Sequence, residues 1–345
     1  MKEQKLIIPF LILILYSCQK NAPDRNASSE VDVCVAGKEY NGSVAVAKYW
    51  KNGKPIVLGD GVNWSTANSI AVGGNDVYVA GTEVHGSTQV GKYWKNGQGM
   101  ALTDGSTTAG ASSIAVVGSD VYVAGDDYNG SHSVAKYWKN GQEITLTDGT
   151  SDASAVSIAV VGDNVYVAGN EYKLGTYNAA RYWKNGQAIT LTDGTNYCFA
   201  TSMAVDGGNI YITGTEWLWY PQVATVWKNG QTIKLTDSSQ TAVAYSIAVA
   251  GDDVYVVGIE NDQGKYWKNG HPVFFKGDAA LSYASSIAVV DNDVYIAGAE
   301  YRGYVPNGTP AITGAVAKYL KNGEPVLLTD GSTIAEVSDI VVVKR

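Results

Sequence analysis

The stretch Lys136-Tyr137-Trp138-Lys139-Asn140-Gly141 belongs to a unit that the chain repeats seven times. The same unit contains Val121-Tyr122-Val123-Ala124-Gly125, the segment Leu146-Thr147-Asp148-Gly149 and the small-residue segment Ser157-Ile158-Ala159-Val160. Its opening aliphatic residue recurs at spacings of 44, 44, 44, 45, 44 and 40 residues, at Val33, Val77, Val121, Val165, Ile210, Val254 and Val294. A period this regular indicates an architecture in which each unit packs on its neighbours.

Each unit is interpreted as four short strands separated by turns. The last two strands are joined by Asn-Gly, a strong hairpin signal because both central residues of a type I′ turn need positive φ. The dipeptide occurs in every unit, at Asn52-Gly53, Asn96-Gly97, Asn140-Gly141, Asn185-Gly186, Asn229-Gly230, Asn269-Gly270 and Asn322-Gly323. A period of about 40 to 50 residues with four strands is typical of propeller blades. The sequence therefore predicts an all-β, seven-bladed β-propeller with four antiparallel strands per blade.

Side-chain size predicts the order of the strands. The small residues of Ser113-Ile114-Ala115-Val116 suit the innermost strand, because strands converge at the axis of a propeller. The larger Tyr and Trp of the third strand lie further out and point to opposite faces, both of which pack on other blades. We therefore expect the tryptophans to be core residues and not a ligand-stacking ring: Trp50, Trp94, Trp138, Trp183, Trp227 and Trp267, with Leu320 in the seventh unit.

The ends of the repeat region predict how the ring closes. Residues 32–37 form a second strand with no first strand before them, and residues 339–343 form a first strand with nothing after them. We expect three N-terminal strands and one C-terminal strand to complete a single blade. This gives one propeller domain over residues 32–345 and removes the open sheet edges.

Composition excludes several classes of function. The chain has 25 basic and 33 acidic residues, a formal net charge of −8, and no basic run, so nucleic acid is not an expected partner. Cys34 stands where the other six units have Tyr, and Cys198 is predicted to lie in a loop, so no disulfide framework is expected. Metal-ligand spacings and phosphate-loop motifs are missing from the sequence, which predicts no cofactor and no metal.

The first 31 residues stand outside the repeat. Lys2 and Lys5 precede an apolar run over residues 6–16, which is too short for a membrane span and has the pattern of a signal peptide. It ends Leu15-Tyr16-Ser17-Cys18, which resembles the lipobox of bacterial lipoproteins. The resemblance implies a signal peptide over residues 1–17, lipidation at Cys18, and a tether over residues 18–31. An ordinary signal peptide with an incidental cysteine is the alternative.

The Tyr-Trp-Lys-Asn-Gly repeats resemble those of propeller lipoproteins of the Bacteroidetes type, with a strand order similar to that of NHL and YWTD propellers. The resemblance covers residues 32–345. It implies the architecture and a location in the cell envelope, lipid-anchored in the outer membrane on its surface or periplasmic face. It does not imply one activity, because propellers include enzymes, lectins and assembly scaffolds.

Two charged rings are predicted near one end of the blades. An acid recurs two residues after the glycine of the second strand, at Glu39, Glu83, Asp127, Glu171, Glu216, Glu260 and Glu300. A base precedes the Tyr of the third strand, at Lys48, Lys92, Lys136, Arg181, Lys265 and Lys318, but Thr225 takes this place in the fifth unit. One cross-strand ion pair per blade accounts for both rings. A ring that binds a cationic or sugar ligand is the alternative.

A further ring should line the axis: Ser69, Ser113, Ser157, Ser202, Ser246, Ser286 and Asp339. We expect close packing there, with channel water or a ligand as the alternative.

Comparison of the units with one another predicts the binding surface. The loops at the end of the blades opposite the Asn-Gly turns vary in length from unit to unit. Variable loops on a constant scaffold commonly form binding sites. The fifth unit is the most divergent, because Thr225 removes the base expected to pair with Glu216 and Val226 replaces a buried Tyr. The candidate ligand-binding residues are aromatic: Trp217, Trp219, Tyr220, Tyr172, Tyr177, Tyr197 and Phe199. Exposed aromatic side chains suit sugar stacking or a protein interface, and the alternative is that they pack together as a small core.

No catalytic constellation is visible, so the chain is predicted to be a binding module and not an enzyme. The expected ligand is a carbohydrate or a protein. We expect the protein to be a monomer and to contact the membrane through its lipid anchor only. One alternative is a propeller glycosidase or polysaccharide lyase, for which Glu216 and Glu300 are the only acids to consider. The other is a periplasmic scaffold for outer-membrane assembly.

Overall fold

The computed structural model describes residues 30–172, 177–192, 196–217, 221–237, 239–275, 281–302 and 314–345. Within these ranges the chain forms 28 β-strands and no helix. The strands make seven four-stranded antiparallel sheets, whose inner strands contact one another around a common axis. The predicted seven-bladed β-propeller is confirmed. No described segment is a helix long and apolar enough to cross a membrane.

The blades are numbered along the chain, with their strands given from the axis outward. Blade one contains β28 (Ala335–Lys344), β1 (Val31–Tyr40), β2 (Ala45–Lys51) and β3 (Lys54–Val57). Blades two to four contain β4 (Ser65–Gly73), β5 (Asp76–His85), β6 (Thr88–Lys95), β7 (Gln98–Ala101), β8 (Ala109–Val117), β9 (Asp120–Tyr128), β10 (Ser133–Lys139), β11 (Gln142–Thr145), β12 (Asp152–Val161), β13 (Asn164–Tyr172), β14 (Ala179–Lys184) and β15 (Gln187–Thr190). Blades five to seven contain β16 (Tyr197–Asp206), β17 (Asn209–Trp217), β18 (Gln222–Lys228), β19 (Gln231–Lys234), β20 (Ala242–Ala250), β21 (Asp253–Glu260), β22 (Gln263–Lys268), β23 (His271–Val273), β24 (Tyr283–Val290), β25 (Asp293–Arg302), β26 (Gly314–Lys321) and β27 (Glu324–Leu327).

The Asn-Gly turns explain why that dipeptide recurs. Asn140 and Gly141 have φ values of 53° and 81°, which Asn and Gly adopt most readily. The Asn140 side chain also fixes the start of the second strand, because its Oδ1 accepts from the Val121 N–H at 2.8 Å and its Nδ2 donates to Asp120 at 2.8 Å. The same pair of bonds forms in all seven blades. We call this end of the blades the turn end, and the opposite end the loop end.

Every innermost strand contains a bulge. In blade three the pairing with β9 shifts between Ala111 and Ser113, so Ser112 is the extra residue and the strand bends beside the axis. The bend brings the Gly110 carbonyl against Gly125, where a Cβ atom would overlap that oxygen. The position of this glycine in each Val-Ala-Gly segment therefore requires glycine, because only a residue without a side chain fits beside the bulge.

The predicted core is confirmed. The six tryptophans of the third strands are at most 2% exposed, and Leu320 is 1% exposed. Each packs in a cluster that joins two neighbouring blades, as Trp138 does with Tyr78 and Ile114. The hydrophobic contribution to stability is thus distributed around the ring between blades.

The C-terminal strand closes the ring as predicted. β28 pairs with β1 from Val31 opposite Lys344 to Glu39 opposite Ala335. Glu30 lies at the turn end, where its carbonyl accepts a hydrogen bond from the Arg345 N–H at 2.9 Å. The chain therefore enters and leaves the propeller at the turn end.

One sequence-based expectation about the cysteines is wrong. Cys198 lies within β16 and is buried, not in a loop, because β16 continues beyond the bulge towards the loop end. Cys34 is a buried thiol in β1, and burial raises its pKa to about 11. Cys18 lies outside the described residues.

Candidate functional site

The loop end varies between blades, as the sequence predicts. In blade six only Asn261 and Asp262 separate the second strand from the third. In blades five and seven the corresponding connections fall on residues 218–221 and 303–313, most of which lie outside the described ranges. The strands that lead into these connections carry the aromatic side chains singled out by the sequence.

Five of the predicted site residues form one aromatic cluster at the loop end of blades four and five: Tyr172, Tyr177, Tyr197, Phe199 and Trp217. Tyr197 and Phe199 alternate along β16 and so share one face, and Trp217 on β17 is paired with Tyr197. The ring centroids of Phe199 and Trp217 are 5.5 Å apart, and those of Tyr172 and Phe199 are 6.2 Å apart. Tyr177 meets Tyr197 edge to face at 4.9 Å. We call this group the aromatic cluster.

The aromatic cluster is partly packed and partly exposed. Trp217 is 42% exposed and Tyr197 is 40% exposed, whereas the other three members are intermediate. Each ring contacts at least one other ring of the group, which restricts the orientations of the exposed faces. The two remaining candidates, Trp219 and Tyr220, lie outside the described residues.

The ring of acids and bases forms the predicted ion pairs. Lys48 lies 2.6 Å from Glu39, Lys136 lies 3.1 Å from Asp127, and Arg181 lies 2.7 Å from Glu171. Further pairs form between Lys92 and Glu83, Lys265 and Glu260, and Lys318 and Glu300. These acids are therefore held by neighbouring bases in their own blades.

Blade five keeps its ion pair by a different route, which corrects the expectation that Thr225 leaves Glu216 without a base. Thr225 pairs across the sheet with Lys234 of the outermost strand. Lys234 places its Nζ 3.3 Å from Glu216. Lys234 of the fourth strand thus supplies the positive charge that the third strand of this blade lacks. Glu216 is thereby a member of the ion-pair ring, like Glu300.

The serine ring lines a cavity of about 290 Å³ on the propeller axis. Its members hydrogen-bond from blade to blade, as when the Ile158 N–H donates to Ser113 Oγ at 3.2 Å. Asp339 takes the serine position in the closing blade. Its carboxylate accepts from Ser69 Oγ and the Ile70 N–H of blade two, from Ser286 Oγ of blade seven, and from the Ile340 N–H. Burial raises the pKa of Asp339, and these hydrogen bonds oppose that shift.

Sequence reasoning missed a set of side-chain pairs at the loop end. In each blade, one residue of the first strand lies opposite the residue that follows the recurring glycine of the second strand. The seven pairs are Glu336 and Lys38, Thr66 and Thr82, Gly110 and Asp126, Ser154 and Asn170, Phe199 and Thr215, Val243 and Ile259, and Tyr283 and Ala299. Thr66 and Thr82 hydrogen-bond at 2.9 Å, and Lys38 and Glu336 form a 3.0 Å ion pair. Among these fourteen residues, Asp126 is the only charged one without an ion-pair partner. Its position in register with Gly110 is the signal that could have found it.

A second group of tyrosines on blades six and seven was also missed. Tyr245 and Tyr283 have ring centroids 5.0 Å apart. Burial, the charge of Glu336 and the nearby Tyr245 raise the pKa of Tyr301 to about 12. Raised pKa values keep these hydroxyls protonated at neutral pH, so they can donate as well as accept hydrogen bonds.

The described part of the chain contains no group of three or more His, Cys, Asp or Glu side chains that could hold a metal ion. Two histidines lie at the loop end of adjacent blades: His85 ends β5 and lies 3.1 Å from Glu83, and His132 lies 3.4 Å from Asp152.

Comparison with known proteins adds evidence on the fold. No protein-family model and no curated protein matches the sequence significantly. A prolyl endopeptidase structure matches with a TM-score of 0.52 at 12% identity, over 91% of this chain and 51% of that one, so this chain spans about half its length. The β-propeller domain of the trilobed protease from Pyrococcus furiosus matches with a TM-score of 0.48 at 12% identity, over 88% and 95% of the two chains. The Trypanosoma rangeli sialidase matches with a TM-score of 0.45 at 10% identity, over 83% and 55%. At 12% identity the likeness to the prolyl endopeptidase structure concerns the fold alone.

Proposed function

We propose that the protein is a secreted, lipid-anchored propeller that recognises a carbohydrate through the aromatic cluster, without turning it over. The observation that carries this proposal is the exposed pair of rings at Trp217 and Tyr197. Flat aromatic faces bury the C–H faces of sugar rings at little entropic cost when neighbouring rings already restrict their orientations. A protein ligand on the same rings is the competing proposal.

The place where the chain enters the propeller sets the orientation that the proposed lipid anchor would give. β1 begins at Val31 at the turn end, so a tether from Cys18 would leave the propeller from the face opposite the aromatic cluster. A lipid at Cys18 would then direct the cluster away from the membrane. The protein would work as a monomer in the outer membrane, since neither the proposed site nor the closed ring needs a second copy.

A binding experiment tests the proposed site. Purified residues 30–345 would be applied to an array of neutral and charged oligosaccharides, and Trp217→Ala and Tyr197→Ala would be compared with the wild type. We expect each variant to weaken binding at least tenfold, as for a stacking residue, with little change in melting temperature. Ile233→Ala is the matched control, because it removes a 45% exposed apolar side chain from the outer strand of the same blade. Equal binding by all variants, or early melting of the aromatic variants, would contradict the proposed site.

The anchor is tested separately in cells. A fatty-acid probe should label the wild type and not Cys18→Ala. Labelling of both to the same extent would show that Cys18 is not the lipidated residue.

A further inference from the structure

Asp126 carries a charge that its own blade does not neutralise. The neighbouring acids at the loop end are engaged, Asp127 by Lys136 at 3.1 Å and Glu171 by Arg181 at 2.7 Å. Asp126 makes no hydrogen bond or ion pair to any described residue, and it is only partly exposed to water. Burial, together with the charge of Asp127, raises the pKa of Asp126 to about 6. At neutral pH the side chain is therefore an ionised carboxylate that has lost part of its hydration without gaining a partner.

The equivalent residue of the next blade shows which side chain suits this position structurally. Asn170 accepts a hydrogen bond from the Ala200 N–H at 2.8 Å and donates one to the Ala200 carbonyl at 3.1 Å, so it joins blade four to blade five. A carboxylate cannot donate, so Asp126 cannot make both bonds. An aspartate here costs stability that asparagine would not, and such costs are concentrated at functional sites.

The residue opposite Asp126 leaves room beside it. Gly110 pairs with Asp126, whereas the other blades have a side chain at this place, such as Ser154 in blade four. A Cβ on Gly110 would lie 3.5 Å from Asp126 Oδ1, in ordinary contact. Among the described residues, no other heavy atom apart from Gly110's own chain neighbours lies within 4 Å of that point, so the missing side chain leaves space beside the carboxylate. We call it the Gly110–Asp126 slot.

The slot adjoins the aromatic cluster. The charge of Asp126 acts on the hydroxyl of Tyr172 and contributes to its raised pKa, of which burial is the main cause. Tyr172 in turn contacts Phe199, which contacts Trp217. A ligand stacked on these rings can therefore extend towards Asp126 without leaving the loop end.

We infer that the Gly110–Asp126 slot binds a positively charged amino group, so that the carbohydrate recognised by the aromatic cluster carries a free amine. This inference rests on the proposed function and specifies its ligand. A neutral hydroxyl is a weaker match, because Asn offers an acceptor to hydroxyls without the cost of an ionised carboxylate. An ammonium group offsets that cost directly, by a charge-assisted hydrogen bond in a partly desolvated place.

The test uses two probes that differ only in this group: glucosamine oligomers with free amines, and the same oligomers N-acetylated. Affinities of residues 30–345 for both would be measured by calorimetry at pH 7. We expect the wild type to bind the amine form at least tenfold more tightly. Asp126→Asn should lose this preference and keep its affinity for the acetylated form. Gly110→Ser should lose it too, because the serine fills the slot while the charge remains.

Asp104→Asn controls for general electrostatics, since it removes one exposed negative charge from the loop that enters the same blade. An equal loss of preference in this control would overturn the inference. Equal binding of both probes by the wild type, abolished in Trp217→Ala, would also overturn it and leave the proposed function standing. If no oligosaccharide of any kind binds, the proposed function fails and the inference fails with it.

Discussion

Asp126 and Asn170 occupy the same place in adjacent blades and differ by one functional group. The amide of Asn170 satisfies the backbone of the next blade, whereas the carboxylate of Asp126 does not. At the scale of a residue, this difference has a cost that depends on pH.

The cost can be measured with Asp126→Asn. The folded pKa of Asp126 is about 6, above its ordinary value of 3.8, so the folded state binds the proton more tightly than the unfolded state. The penalty is therefore complete above pH 6 and disappears as the pH falls through 6 towards 3.8. We expect Asp126→Asn to raise the free energy of unfolding by about 3 kcal/mol at pH 7, with the gain lost near pH 4. Urea denaturation at both pH values checks this.

Asp104→Asn should show no gain at pH 7, because hydrogen bonds from Ser106 lower the pKa of that exposed carboxyl. An equal gain in both variants would mean that net charge, and not the burial of Asp126, sets the effect.

At the scale of a strand, blade five shows that the outermost position can replace a side chain lost from the third strand. Lys234 reaches Glu216 because β19 runs in register with β18. Five of the other outer strands have Val57, Ala101, Thr145, Thr190 and Leu327 at this register position, and in blade six β23 ends before it, so the lysine is specific to the blade that needs it.

Lys234→Thr should therefore destabilise the protein by about 1 kcal/mol, because Glu216 is only 15% exposed and would lose its cation. Adding Thr225→Lys should restore most of the loss by rebuilding the arrangement of the other six blades. Lys54→Thr, on the exposed outer strand of blade one, serves as the control and should change little. Failure of Thr225→Lys to restore stability would show that the two lysine positions are not equivalent.

The same blade shows where sequence reasoning succeeds and where it stops. The seven units align with one another, so strand order, the Trp core and ring closure could be predicted from residues such as Trp138 and Asn140. The base that pairs with Glu216 could not be predicted, because its identity depends on the register of a four-residue strand. Asp126 could not be identified as a candidate site residue from its own position in the unit. What sets it apart is the glycine opposite it, Gly110, which lies sixteen positions away in the sequence and is brought alongside by the hairpin.

At the scale of the whole molecule, the blade that closes the ring carries at the axis one residue that differs from its six counterparts. Asp339 of the C-terminal strand accepts hydrogen bonds from blade two and blade seven, whereas the serines connect one blade to the next. A carboxylate has enough acceptor sites for both neighbours at once.

We expect Asp339→Ala to lower the free energy of unfolding by about 3 kcal/mol, because buried donors on both sides of the closing blade would lose their acceptor. Ser113→Ala removes one hydroxyl from the same ring and should cost about 1 kcal/mol. Guanidinium denaturation of both variants checks the difference. Similar costs for the two would mean that closure depends on the pairing of β28 with β1 and not on Asp339.

The seven Asn-Gly turns are also the sites at which we expect the protein to deamidate during storage. Asn-Gly is the sequence most prone to deamidation, in which the following backbone nitrogen attacks the side-chain amide, and here each amide is held by two hydrogen bonds that restrain it. Where the partner is aspartate, as at Asn140 and Asp120, conversion to aspartate would place two carboxylates in contact. In blades four and five the partner is Asn164 or Asn209, which can turn its own amide towards the new charge. Deamidation should thus destabilise the protein least at Asn185 and Asn229, so we expect the deamidated product to persist in the folded fraction of stored protein there, at the turn end of the two blades whose loop end carries the aromatic cluster; peptide mapping by mass spectrometry checks this.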